Sequence, residues 1–139
     1  MLQQDYLMRL LLQFAEGVRR SIEHARLDPR EAADSLEEEL ARVMDMDADV
    51  LLGLAPESFA SIARIAVADE RIAAYIVFTL ALEAHYLRCA GREAAAALRY
   101  GQACAFADAC GVQAPGPDDI PDESDFDALL AEDGIAPRA

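Results

Sequence analysis

From Leu2 to Leu27 the apolar side chains return every three or four residues, at Leu7, Leu11, Phe14, Val18, Ile22 and Ala25. That step lines them up on one face of an α-helix; a strand, with its period of two, cannot gather them on one side. Leu10 widens the stripe, while Arg9, Gln13, Glu16, Arg20 and Glu23 fill the opposite face. The segment therefore reads as one long amphipathic helix whose apolar side has to be covered. Gly17 is its weak point, costing about 1 kcal/mol against Ala unless a neighbouring helix packs closely there.

The same period continues along the chain, cut by helix starts and stops. Asp28-Pro29-Arg30-Glu31 supplies a capping acid, a proline at the first helical position and an acid at the third, which predicts a second helix from Pro29 to about Met44. Its stripe is Ala32 or Ala33, Leu36, Leu40 and Val43, with Asp34, Glu37, Glu38 and Arg42 outward. A connection this short makes the first two helices an antiparallel hairpin. Asp49 is expected to cap a short turn through Val50-Leu51-Leu52, ended by Gly53. Pro56-Glu57 opens another helix with Phe59, Ile62, Ala63, Ile65 and Ala66 apolar. From Asp69 to Gly91 apolar residues surround the helix on nearly every side, so it is expected at the centre of the fold. A further helix runs from Arg92 to about Cys110 with a thin, Ala-rich face, and Gly111 stops it. The fold class is all-α, a bundle of five to six helices within residues 1–112. Residues 113–139 form an acidic, Pro- and Asp-rich tail, expected to be mobile or loosely docked, with a short helix near Phe126, Leu129 and Leu130.

Charge and chemistry narrow the function classes. The 139 residues carry 26 acids against 12 basic residues, all Arg, for a net charge of −14. Half of it, −7, lies from residue 118 onward. Phosphate affinity comes from neutralising positive charge, so neither nucleic acid nor an anionic membrane surface suits this chain. No apolar run approaches the roughly 18 residues of a membrane span. The start of the chain lacks a basic region, and Asp5 and Arg9 interrupt its apolar stretch, unlike a secretory signal. Cys89, Cys104 and Cys110 cannot all pair within one chain; together these features lead to the expectation of a reduced cytoplasm.

The hairpin from Leu80 to Cys104 resembles a tetratricopeptide repeat. With Gly91 as the turn glycine, Leu80, Ala84 and Leu87 take the large, small and large positions of its first helix. Ala96, Tyr100 and Ala103 take the small, aromatic and small positions of the second. The closing proline is absent, with Asp108 near its place, and no second copy follows. The opening Met1-Leu2-Gln3-Gln4-Asp5-Tyr6-Leu7-Met8-Arg9 is similar to the start of a family of small, all-helical bacterial proteins of unknown function. That resemblance implies an N-terminal helix ahead of a helical region ending in a tetratricopeptide-like hairpin. It implies no catalytic residues.

Constellations that carry chemistry are sparse. Asp45-Met46-Asp47-Ala48-Asp49 opens like a calcium loop, but the sixth and twelfth positions are Val50 and Pro56 rather than Gly and a bidentate acid. His85 and Cys89 have a zinc-chelating spacing with too few further ligands nearby. No nucleophile elbow and no phosphate loop is present. Neither catalysis, cofactor nor metal is expected. Glu83 and Arg88 stand out as charges in an apolar helix, either lining a groove or forming a buried pair.

The expected function is a non-catalytic cytoplasmic protein–protein interaction or scaffold module. The first helix is about ten residues longer than the second, so roughly 15 Å of it should overhang. Leu2, Tyr6 and Leu10 would then meet a partner, a second copy of the chain being the natural one. Further surface is expected at Glu83, His85, Tyr86, Arg88 and Tyr100. The alternative is a small-molecule or peptide binder with a groove near Glu83 to Arg88. A third reading has the tail occupying the domain's own groove through Phe126, Leu129 and Leu130.

Overall fold

A computed structural model describes residues 2–67 and 69–134, with side chains from Tyr6 onward. Among these residues there are seven helices and no strands. They are α1 (Leu2–Ala25), α2 (Pro29–Met44), α3 (Ala48–Leu51), α4 (Pro56–Ala66), α5 (Glu70–Cys89), α6 (Glu93–Cys110) and α7 (Glu123–Glu132).

The helix boundaries follow local chemistry. Asp28 accepts hydrogen bonds from the backbone of Arg30 and Glu31 and starts α2, with Pro29 in its first turn. Asp69 caps α5 through the Arg71 backbone. Gly91 and Gly111 follow α5 and α6 with φ of 79° and 70°, a left-handed turn that side-chain-bearing residues rarely adopt. The start of α3 differs from the expected one. Asp47, not Asp49, is its cap, accepting from the Asp49 backbone at 2.9 Å, so the turn begins two residues earlier.

The order of packing places α5 at the centre. α1 and α2 form one hairpin, α5 and α6 another, α4 lies along α6, and α2 bridges to α5. Alone among the described helices, α5 is long and apolar enough to cross a membrane, contrary to the reading that no run approaches that length. Some 78% of its apolar window is buried inside the bundle, where Ile76, Leu80 and Leu82 help form the core. α4 is more one-sided than its composition suggests. Phe59, Ala60 and Ala63 face the core, with Phe59 edge-on to Phe106 of α6 at 6.0 Å, while Ile62 and Ile65 lie exposed.

The acidic extension contributes to the core. Asp122 and Asp125 form a reciprocal capping box, which starts α7. Phe126 and Leu130 are fully buried, and the Phe126 ring stands 5.9 Å from Tyr75 and 5.3 Å from Phe78 of α5. Tyr75 Oη lies 2.9 Å from the Leu129 carbonyl and 2.7 Å from Asp133 Oδ2. Arg19 of α1 reaches Asp127 at 3.4 Å.

Candidate interaction surface

α1 spans 24 residues and α2 only 16, and the two meet at the turn that joins the end of α1 to the start of α2. The surplus of about 12 Å therefore projects at the N-terminal end of α1, past Met44. There it forms one wall of an open groove of about 510 Å³. Tyr6, Leu7 and Leu10 line this wall; Val43 and Met44 form the floor, and Ala66, Val67 and Ile72 the far side. Asp45 and Asp69 stand at the rim. Asp69 is held by three hydrogen bonds from Arg71, and these bring its carboxyl below the usual range, its side-chain bond contributing most.

At 100° per residue Leu7, Leu11 and Phe14 share the face turned to the core, with Tyr6 and Leu10 on one flank and Met8 and Leu12 on the other. Apolar side chains thus flank the N-terminal half of α1 on both sides of a polar strip at Arg9 and Gln13. A single bundle covers only part of them: Tyr6 is 63%, Leu12 47% and Met8 37% exposed. The helix also carries no net charge. α1 holds Asp5, Glu16 and Glu23 against Arg9, Arg19 and Arg20, so it is neutral within a chain of net charge −14. Leu2 begins α1, and its side chain lies outside the described residues.

The second group of expected surface residues is not gathered in one place. Glu83 is fully buried and leaves the expected surface: its partner is Arg99 of α6, not Arg88. Burial pushes the Glu83 carboxyl well above its ordinary range, and the charge of Glu37 adds to this against the pull of Arg99. Arg88 is exposed. His85 is half-buried with Nε2 3.7 Å from Cys89 Sγ; burial, and next the charge of Arg88, bring its imidazole below the usual range. Tyr86 lies almost buried, and its phenol is pushed up to about 12, chiefly by burial. Tyr100 donates to the Pro115 carbonyl at 2.7 Å, fastening the segment that leads to α7.

The pairing of Glu83 draws in residues that the sequence reading missed. Arg99 donates from Nε to Glu83 at 2.8 Å and from Nη2 to Glu37 at 3.0 Å; Nη1 reaches the Leu52 carbonyl and Gln102 Oε1. Gln102 in turn donates to the carbonyls of Leu52 and Leu54. Glu37, expected to point outward, is half-buried for this reason. A signal was present: Arg99 falls in the run Ala96, Arg99, Ala103, Phe106, where helical spacing calls for an apolar residue.

The described residues contain no group of three or more His, Cys, Asp or Glu placed to hold a metal ion. Asp45 and Asp47 serve instead as the αL residue ending α2 and the cap of α3. Cys89, Cys104 and Cys110 are free thiols. No protein-family model, curated protein or solved structure matches the chain. Fold and surface together define an all-helical bundle with an apolar, electrically neutral helix end beside an open groove.

Proposed function

We propose that this protein is a non-catalytic interaction module that pairs with a second copy of itself through the N-terminal half of α1. One observation carries the reading: on both flanks of that helix end large apolar side chains, Tyr6, Met8 and Leu12, remain in contact with solvent. Apolar surface of this kind is covered in stable proteins, and two-fold pairing is the commonest way to cover it. Charge favours a second copy meeting it here. Like acids elsewhere on the chain repel, whereas the neutral α1 adds no repulsion where the copies touch. In this arrangement the projecting turns of one α1 enter the groove beside Tyr6 and Leu10 of the other.

The finer reading places the chain with small bacterial cytoplasmic proteins ending in a tetratricopeptide-like hairpin. It is supported by the fit of α5 and α6, where Leu80, Ala84, Leu87, Ala96 and Ala103 are all buried along the helix crossing. Light scattering tests the pairing. The wild-type chain should weigh twice its 15.1 kDa at concentrations of about 100 μM, and Leu12→Glu or Tyr6→Glu should halve that mass with unchanged helicity. A wild type that stays monomeric at that concentration overturns the reading.

A further inference from the structure

Among the described residues, Glu83 Oε1 is the one buried side-chain oxygen or nitrogen without a hydrogen-bond partner. The other oxygen, Oε2, accepts from Arg99 Nε, and the adjacent Nη2 of the same guanidinium serves Glu37 Oε1. That edge of an arginine normally grips one carboxylate with two parallel bonds. Here it is divided between two carboxylates from different helices, which brings them side by side. The remaining edge is taken up by the neutral acceptors Leu52 O and Gln102 Oε1. The groups facing Glu83 are therefore Glu37 from α2, Arg99 and Gln102 from α6, and the carbonyl of the turn after α3.

With every group ionised this cluster holds two negative charges and one positive charge around a fully buried carboxyl. An uncompensated charge in such a place is far more costly than an added proton. The unpaired oxygen is the place for that proton: as an O–H it becomes a donor beside an acceptor carboxylate, and the orphan disappears.

We propose that Glu83 holds a proton on Oε1 at neutral pH, and that its release to solvent at higher pH loosens the junction of α2, α5 and α6. The cluster is then a pH-sensitive latch in the core, separate from the α1 surface. Burial of Glu83 and the neighbouring Glu37 both favour the protonated form, against the pull of Arg99. The folded chain keeps a proton that the unfolded chain releases near the ordinary carboxyl range. The stabilisation is complete below that range and is lost as pH rises through the folded-state value.

Infrared difference spectroscopy of the full chain at pH 7 tests the proposal, with Glu83→Gln as the neutral isostere of the protonated acid. Wild type should show the carbonyl stretch of an un-ionised carboxyl, and Glu83→Gln should lack it. Between pH 5 and pH 9 the thermal midpoint of wild type should fall, and that of Glu83→Gln should fall less than half as far. Glu37→Gln is the second variant. By removing the neighbouring negative charge it should shift loss of the band to lower pH by about one unit. No protonated-carboxyl band in wild type, the same band in Glu83→Gln, or an unmoved titration in Glu37→Gln overturns the proposal.

Discussion

The carboxylate of Glu39 in α2 lies over the bare Cα of Gly17 in α1, in the space that a β-carbon at position 17 would occupy. Glu39 is 6% exposed and is paired with Arg42 at 2.9 Å. Ser21, one turn along α1, is within 2.7 Å of Ser35 across the same crossing. The glycine that weakens α1 as an isolated helix is thus what allows a buried glutamate to lie along it.

Gly17→Ala should therefore return much less than the roughly 1 kcal/mol that helix propensity offers, because the Glu39 carboxylate has to move. In a Glu39→Ala background the same substitution should give the full gain. Urea denaturation of the four chains measures the coupling. Equal effects of Gly17→Ala in both backgrounds would show that Glu39 does not press on this position.

Arg99 joins three parts of the bundle, α2, the turn after α3 and α5, through one guanidinium. Arg99→Met should cost about 3 kcal/mol, because it leaves Glu83 and Gln102 Oε1 buried without their donor. Arg99→Lys should recover little of this, since a single ammonium cannot reproduce the planar fork. Denaturation midpoints at pH 7 check both; a loss below about 1 kcal/mol for Arg99→Met would show that the network is dispensable.

α7 is held by the buried Phe126 and Leu130, the Tyr75 phenol and the Arg19–Asp127 ion pair. Phe126→Ala should cost about 3 kcal/mol, and Tyr75→Phe about 1 kcal/mol. Deletion from Pro115 onward should uncover Tyr75 and Phe78, read as a rise in fluorescence of an apolar dye. Alkaline pH acts on the same contact. Burial, then Asp133, hold the Tyr75 phenol above its ordinary value of 10.0. The folded chain therefore keeps a proton that the unfolded chain gives up, and this stabilisation is lost as pH rises through the folded value. Release of α7 in strong alkali, absent in Tyr75→Phe, is the expected result.

Helix starts and stops were legible because they depend on neighbours in sequence. Asp28 with Pro29 and Asp69 with Glu70 set helix starts, while Gly91 and Gly111 set stops, without help from the rest of the chain. The central place of α5 was legible too, since a helix apolar on nearly all sides has to be surrounded. The projecting end of α1 could be anticipated from helix lengths alone.

Partner choice among charges was decided in three dimensions. Glu83 has Arg88 five residues along its own helix, but Leu87 and the turn at Gly91 bring α6 back so that Arg99 meets it from across the crossing. Likewise the acidic tail reads as solvated by composition, yet Phe126 and Leu130 are buried beside Tyr75 and Phe78. Periodicity and capping are short-range and fix which residues are helical. Which buried charge meets which, and what covers an exposed face, depends on contacts between residues far apart in the chain, and only the packed structure brings those together.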